Sequence, residues 1–159
     1  MERINIYTDG SALGNPGAGG YGVVMMCGPF RREISAGYRL TTNNRMELLA
    51  VIVALEALKR EKAEVMVFSD SKYVVDAVTK RWVFAWVAKN FKDKKNEDLW
   101  RRFLKIYSQH MVNFTWVKGH NDIPENERCD RLAVAAAGDK THLMVDEWYE
   151  ANGISKESV

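Results

Sequence analysis

The chain has 159 residues, 47% of them hydrophobic, which is enough to bury one core and rather short for two. Its 23 lysines and arginines against 21 aspartates and glutamates leave a formal net charge of +2, so no overall basic field indicates a polyanionic partner. No apolar run reaches the length of a membrane span, and the charged start MERINIYTDG lacks the features of a signal peptide. We therefore expect a cytoplasmic, one-domain protein without a membrane segment.

Two further features of the composition narrow the class of protein. Only two cysteines are present, Cys27 and Cys129, which favours buried free thiols over a disulfide framework or a metal site and fits a reducing compartment. The second feature is local: residues 80–105 carry nine basic side chains against three acidic ones. This segment is a candidate for contact with phosphate groups.

The first third of the chain alternates in hydrophobicity, as strands do. Residues 3–9 alternate strictly and predict a strand that ends at Asp9. The segments YGVVMMC and RREISAGYRL predict two more strands, separated by a turn at GPF. Three strands in series predict an antiparallel meander.

The rest of the chain alternates helices with strands. The segment NNRMELLAVIVALEALKR, which starts at Asn43, has apolar residues at helical spacing on almost every face and predicts a largely buried helix. The following segments are a strand (AEVMVFSD), a helix interrupted near Lys80 (SKYVVDAVTKRWVFAWVAKNF), an amphipathic helix (EDLWRRFLKIYSQH), a strand (VNFTWV) and a helix with Pro124 in its first turn (ENERCDRLAVAAA). This order predicts an α/β fold (α+β mixed) in which helices pack on a mixed five-stranded sheet.

Gly17, Gly19 and Gly22 have the G-x-G-x-x-G spacing that cradles a dinucleotide pyrophosphate. That motif requires a helix directly after the glycines, whereas here a predicted strand follows. A Walker lysine is also missing from the segment. We therefore interpret these glycines as a hairpin connection rather than a phosphate-binding loop.

Four acidic residues at the ends of strands or the starts of helices each have an ordinary explanation. Asp9 precedes Gly10 as in many turns, and Glu47 stands three residues after Asn44, as the acidic member of a capping box does. Asp70 could cap the helix that follows it, and Asp130 could be a surface charge near a helix N-terminus. Taken singly, the four residues indicate no active site.

Taken together, the same four residues indicate a cation site. Asp9 and Asp70 both end predicted strands, which can be neighbours in one sheet, and Glu47 lies in a buried helix. Carboxylates about 5 Å apart repel by roughly 3 kcal/mol per pair at an effective dielectric constant near 20. Arg45 and Lys118 are too few to neutralise four anions, and paired histidine or cysteine ligands for zinc are missing from the sequence. Oxygen ligands of this kind favour Mg²⁺ or Mn²⁺.

Five sequence blocks carry a resemblance to one family: YTDGSALGNPGAGGYG, TTNNRMELLAVIVALEAL, SDSKYV, WVKGH and PENERCDRLA. In this order and at these spacings, over residues 3–137, they resemble the type 1 ribonuclease H family. The resemblance implies the ribonuclease H-like fold and endonucleolytic cleavage of the RNA strand of an RNA/DNA hybrid, which leaves 3′-hydroxyl and 5′-phosphate ends. It also implies two Mg²⁺ ions per site during catalysis, with Mn²⁺ as an alternative.

The resemblance also assigns roles to individual residues. Asp9, Glu47, Asp70 and Asp130 fall on the family's metal-binding catalytic positions, and His120 falls on its catalytic-loop histidine. Asn15, Asn43 and Asn44 resemble residues that read the minor groove and its 2′-hydroxyl groups. On this resemblance the glycines of the first block would allow the backbone to approach the hybrid closely. The full set of substrate-binding residues that the resemblance implies is Gly10, Ser11, Asn15, Thr42, Asn43, Asn44, Lys72, Trp82, Lys89 and Asn126.

The chain departs from the family pattern in its basic protrusion, which corresponds to residues 81–100. This protrusion is shorter than in well-known bacterial members and has Val87 and Ala88 where positive charge is expected, so weaker binding and a smaller salt dependence follow. Trp82 and Trp86 are predicted to pack inside the protrusion together with Trp100. In the pocket for a DNA-strand phosphate, a basic residue two positions before Thr42 is replaced by leucine, and the adjacent Arg39 could substitute for it.

We expect a catalytic domain over residues 1–140 and a C-terminal tail over residues 141–159. From Asp139 to the end of the chain there are five acidic side chains against two basic ones, so the tail is not expected to bind nucleic acid. Its apolar residues could pack on the body or on a partner, while the last seven residues could fray. We expect a monomer that binds RNA/DNA hybrid. A catalytically silent hybrid-binding module and a DNA-cutting relative of the same fold remain as alternatives.

Overall fold

The alternating segments of the first third form three long antiparallel strands. In the computed structural model, which describes residues 2–119 and 122–154, they are β1 (Ile4–Leu13), β2 (Gly17–Cys27) and β3 (Phe30–Thr41). β1 pairs with β2, and β2 pairs with β3, both in the antiparallel sense. The predicted meander is confirmed.

The remaining elements complete a mixed five-stranded sheet. In chain order they are α1 (Asn43–Glu56), β4 (Glu64–Ser69), α2 (Lys72–Thr79), α3 (Trp82–Ala88), α4 (Glu97–Tyr107), β5 (Met111–Trp116) and α5 (Pro124–Gly138). The strand order is β3-β2-β1-β4-β5, with β4 parallel to both β1 and β5. The predicted fold class is confirmed, as is the interruption near Lys80.

The sheet lies between α1 on one face and α5 on the other. Along β2, the alternation sends Tyr21, Val23 and Met25 into the core that contains most of α1. Gly20 and Gly22 point the opposite way, where an added Cβ would overlap the backbone of α5. The glycines therefore let a helix approach the sheet closely.

Two details of the predicted hairpin are wrong. β1 does not end at Asp9 but continues to Leu13, because its pairing with β2 runs on to Ala18. Gly17 to Gly22 are not the connection but part of β2; the turn lies before them and contains Gly14 at a φ of 89°. Alternation alone misses this extension because its residues are small or polar.

The protrusion packs through two of its three tryptophans. Trp100 is fully buried, and its ring meets that of Trp86 edge to face at 5.9 Å. Trp82, by contrast, is 46% exposed and lies under the Lys80 ammonium group, 5.2 Å from it. The predicted packing is confirmed for Trp86 and Trp100 and wrong for Trp82, because α3 is a short helix that turns its first residue outward.

Arg45, one turn into α1, is buried and carries two ion pairs. Its guanidinium donates to Asp98 of α4 at 2.7 Å and to Asp146 of the C-terminal segment at 2.7 Å. The Thr41 hydroxyl donates to the same Asp146 carboxylate at 2.8 Å. The cation is therefore fully engaged away from the four acidic residues singled out in the sequence.

The C-terminal segment also bonds to the sheet edge. Met144 exchanges backbone hydrogen bonds of 2.8 and 2.9 Å with Gly37 and Arg39 of β3. Tyr149, in a single π-helical turn over Tyr149–Gly153, is buried. The Arg39 guanidinium donates twice to Glu150, an exposed pair, and its suggested contact with a DNA phosphate stays a prediction. Residues 141–154 thus pack on the body, although the boundary at residue 140 stays a prediction.

No helix of the described residues is long and apolar enough to cross a membrane.

Replacing Asp146 by alanine should destabilise the protein by about 2 kcal/mol or more, because it removes one of two partners from a buried guanidinium. Urea denaturation followed by circular dichroism measures this difference. Glu150→Gln, which breaks an exposed pair, is the control and should cost much less. Equal effects of the two substitutions would show that the buried pair does not anchor the segment.

Candidate active site

Three acidic side chains from separate elements meet where β1 passes the end of β4. Asp9 lies on β1, two residues beyond its last pair with β4, and Asp70 directly follows β4. Glu47 projects from the second turn of α1. One carboxylate oxygen from each of the three lies within 4.8 Å of the others.

Gly10 brings β1 and α1 together at this point. A Cβ on Gly10 would overlap the backbone of Met46 and Glu47, so only glycine allows this approach. As a result Asp9 stands directly beside Glu47. The hydrogen bond from the Gly10 amide to the Asp9 carboxylate, 2.9 Å long, orients the latter.

Neither Glu47 nor Asp70 caps a helix, because other residues are the N-caps of α1 and α2. Thr42 is the N-cap of α1, and its hydroxyl accepts from the Arg45 amide at 3.2 Å. The interpretation of Glu47 as a capping-box residue after Asn44 is therefore wrong. Ser71 caps α2 in the same way, through the Val74 amide, and Asp70 precedes the cap.

The position of Asp70 is fixed from the side of β5. The Trp116 indole donates to the Asp70 backbone carbonyl at 3.1 Å, and the Val117 amide donates to Ser69 at 2.9 Å. These bonds continue the β4–β5 pairing past the end of the strands and hold the residue after β4 at the sheet edge.

Asp130 faces the three carboxylates from α5. It lines the same cleft, whose volume is about 660 Å³, but it does not belong to the group within 4.8 Å. Helix α5 is held against the sheet at this level, since the Cys129 thiol is buried and donates to the Tyr7 carbonyl at 3.2 Å. Of the four acidic residues singled out in the sequence, three therefore form a close group and the fourth lines the same cleft from α5.

Burial raises the pKa of two of the three clustered carboxyl groups. Desolvation raises the pKa of Asp9 to about 7, opposed by its hydrogen bond with Glu47 and supported by the charge of Asp70. Desolvation also raises the pKa of Glu47 well above its ordinary value, and the charges of Asp9 and Asp70 add to this. Without a cation, the site resists full ionisation.

A divalent cation fits this set of donors. The Glu47 Oε1 atom is buried and has no hydrogen-bond partner among the described residues. Within residues 2–119 and 122–154, no lysine or arginine forms an ion pair with Asp9, Glu47 or Asp70. Carboxylate oxygens without nitrogen or sulfur ligands are typical of sites for hard cations such as Mg²⁺ or Mn²⁺.

The substrate-binding residues implied by the resemblance divide into two sets. Five of them line the cleft: Gly10, Asn43, Asn44, Lys72 and Asn126. The other five do not line it: Ser11, Asn15, Thr42, Trp82 and Lys89.

Asn15 and Thr42 act on α1 from outside the cleft. The Asn15 side chain accepts from the Asn43 amide at 3.0 Å and so ties the β1–β2 turn to the start of the helix. Thr42 is the buried N-cap described above. His120, the implied catalytic-loop histidine, lies outside the described residues.

A model of the RNase H family matches residues 1–138. The chain belongs to the RNase H family. Ribonuclease H of Rippkaea orientalis is 51% identical to it over 158 residues, which is 96% of this chain and 96% of the relative. The crystal structure of LC9-RNase H1, described as a type 1 RNase H with the type 2 active-site motif, is 35% identical with a TM-score of 0.80 and covers 99% of this chain and 84% of that one. LC11-RNase H1, solved in complex with RNA/DNA hybrid, is 31% identical with a TM-score of 0.65 and covers 84% of this chain and 96% of that one.

Sequence reasoning missed several residues that line this RNase H cleft, among them Tyr73, Glu127 and Arg131. Tyr73 follows Lys72 and receives hydrogen bonds from Asn96 and Trp100, a long-range arrangement that no local pattern indicates. The two α5 residues could have been found, because Glu127 lies three residues before Asp130 and Arg131 lies four residues after Glu127, next to the predicted site residue.

Asp9→Asn should raise the stability of the metal-free protein, and the gain should grow with pH. Burial raises the pKa of Asp9 to about 7 in the folded state, whereas the ordinary pKa of its carboxyl is 3.8. Folding therefore binds a proton between these values, and the wild type loses stability as the pH rises through them. We expect the variant to be more stable by about 2 kcal/mol or more at neutral pH.

Urea denaturation in the presence of a chelator, at a pH below 5 and at one above 7, measures this gain. The difference between variant and wild type cancels the contributions of carboxylates outside the site, and it includes the relief of Glu47 from the charge of Asp9. A variant that is less stable than the wild type at neutral pH would show that Asp9 is a structural partner rather than a repelled anion.

Proposed function

We propose that this RNase H cleaves the RNA strand of RNA/DNA hybrids endonucleolytically and leaves 3′-hydroxyl and 5′-phosphate ends. The observation that carries the proposal is the meeting of Asp9, Glu47 and Asp70 in one cleft, where no lysine or arginine of the described residues forms an ion pair with them. The names of its relatives support the activity, and the hybrid bound to LC11-RNase H1 supports the substrate.

The four acidic residues have one task in this proposal, which is to hold Mg²⁺. Asp9, Glu47 and Asp70 would provide the close oxygens, and Asp130 would close the site from α5. Two Mg²⁺ ions, with Mn²⁺ as an alternative, supply positive charge that stabilises the attacking and departing oxygens of an in-line displacement at phosphorus. Buried Glu47 fixes the geometry because its side chain has little room to move.

Asn43 and Asn44 are proposed to distinguish RNA from DNA. Both line the cleft at the start of α1, and Asn44 is exposed. Their amide groups can donate to, and accept from, a 2′-hydroxyl, which only the RNA strand offers. The Asn15 contact to the Asn43 amide keeps this helix start in place.

His120 is proposed to take up a proton or to assist product release, as the resemblance implies. A histidine suits this role because its ordinary pKa lies close to neutral pH.

The protein is further proposed to act as a monomer in the cytoplasm. The two cysteines, Cys27 and Cys129, are free, which fits a reducing compartment.

One gel separates the proposed activity from its alternatives. Labelled RNA/DNA, RNA/RNA and DNA/DNA duplexes are incubated with the protein, with and without Mg²⁺. We expect cleavage only of the RNA strand of the hybrid, and only with metal. Binding of the hybrid without cleavage would support a silent module, and cleavage of DNA/DNA would support a DNA-cutting relative.

Asp70→Asn should lower the cleavage rate by at least about two orders of magnitude, because it removes charge from the metal site. Asp76→Asn is the matched control: this residue lies on the adjacent helix α2, outside the cleft, and pairs only with Lys80 among the described residues. Initial rates with labelled hybrid measure both. An equal loss in the two variants would contradict the assignment of Asp70.

Asn44→Ala should raise the KM for hybrid by about three- to ten-fold and change kcat less, because it removes hydrogen bonds to the sugar. Asn113→Ala, at an exposed position of β5 outside the cleft, should leave both constants unchanged. Steady-state kinetics on hybrid measures the split. An unchanged KM in Asn44→Ala would remove Asn44 from the substrate-binding set.

A further inference from the structure

Three cationic side chains line the cleft beside its carboxylates: Lys72, Lys118 and Arg131. Lys72 is already engaged, because its ammonium group lies 4.8 Å from the centre of the Trp116 ring. Arg131 is exposed, and among residues 2–119 and 122–154 it has no hydrogen bond, ion pair or ring contact. Most other arginines have a partner; Arg128, three residues earlier, donates twice to Glu33.

Arg131 points toward the cleft because of its position on α5. Four residues of α5 line the cleft in two rows at i, i+4 spacing. The inner row is Asn126 and Asp130, both half-buried, and the outer row is Glu127 and Arg131, both exposed. The guanidinium therefore extends from the rim of the cleft, one residue beyond Asp130.

The base of this side chain is rigid. Cys129 and Ala133, on either side of Arg131 along the helix, are fully buried against the sheet. The backbone of α5 approaches Gly20 and Gly22 so closely that a Cβ there would not fit. A side chain on such a helix reaches a small, defined volume, whereas Lys118 extends from the loop after β5.

The excess of acidic side chains in the cleft suggests what the Arg131 guanidinium does there. Glu127 in the outer row adds a further anion to the four acidic residues, which disfavours the approach of a nucleic-acid backbone. A cation at the rim offsets this repulsion where the backbone enters. A guanidinium donates two parallel hydrogen bonds to a phosphate, which an ammonium group cannot do.

We propose that Arg131 binds a phosphate of the RNA strand next to the one that is cleaved. Because Asp130 is proposed to hold metal at the scissile phosphate, Arg131, which lines the same cleft from the outer row of α5, reaches a neighbouring phosphate of the same strand. This inference rests on the proposed hybrid cleavage and adds to it a residue that positions the cleaved strand.

The salt dependence of catalysis tests the contact with phosphate. Arg131→Gln should lower kcat/KM for hybrid by about three- to ten-fold at low salt, mainly through KM. It should also reduce the slope of log kcat/KM against log salt by about 0.9. Arg32→Gln is the matched control, an exposed arginine outside the cleft. Arg131→Lys should restore the slope but only part of the rate, and thermal unfolding verifies that all variants fold.

Neutral phosphate analogues identify which phosphate is bound. Hybrids with one methylphosphonate at successive positions of the RNA strand, around a single permitted cleavage site, are cleaved by wild type and by Arg131→Gln. We expect one position beside the cleavage site to slow the wild type but not the variant. Equal sensitivity of the two proteins at every position, or an unchanged salt slope, overturns the assignment while hybrid cleavage by the wild type stands. Failure of the wild type to cleave hybrid overturns both proposals.

Discussion

Electrostatic repulsion among buried carboxylates is the constraint on which the rest of this site depends. Oxygens of Asp9, Glu47 and Asp70 lie within 4.8 Å of each other, where each ionised pair costs roughly 3 kcal/mol at an effective dielectric constant near 20. The fold gives them no lysine or arginine partner among the residues described, and it leaves one Glu47 oxygen without a hydrogen bond. A cation from solution is then the partner that allows all three to ionise at neutral pH.

The surrounding structure must hold these carboxylates close together although they repel one another. Two features of the sequence make this possible: glycines where backbones approach and a buried cation outside the cleft. Gly10 lets β1 pass the second turn of α1, and Gly22 lets α5 rest on the sheet. Arg45, in the same region of α1 as Glu47, is bound by Asp98 and Asp146 instead of by the metal-site acids. The buried positive charge two residues before Glu47 therefore stabilises the fold and does not neutralise the site.

Much of the fold follows from local patterns, and the failures have identifiable causes. The five strands and the helices were predictable because alternation and helical spacing reflect which face each element buries. The end of β1 was not, because its pairing with β2 past Asp9 is a property of two strands. The N-cap of α1 was wrong because Thr42 and Asn44 are both good capping residues, and only the path of the chain selects between them. The pairing of Arg45 with Asp146 joins residues 101 positions apart, a distance at which a single sequence carries no signal.

Although the net charge is only +2, acidic and basic side chains lie in different parts of the molecule. The acidic residues of the cleft come from β1, α1, the end of β4 and α5, while basic residues are concentrated in the segment 80–105 and at the cleft rim. A substrate with a regular row of phosphates can satisfy both sets only when its backbone crosses the rim cations and brings one phosphate over the acids. In the function proposed above, a bound metal would remove the repulsion between the acids and a phosphate, so metal binding and substrate placement would favour each other. Selectivity for the substrate would then rest on local charge placement and on the amides at the start of α1, and not on the total charge of the protein.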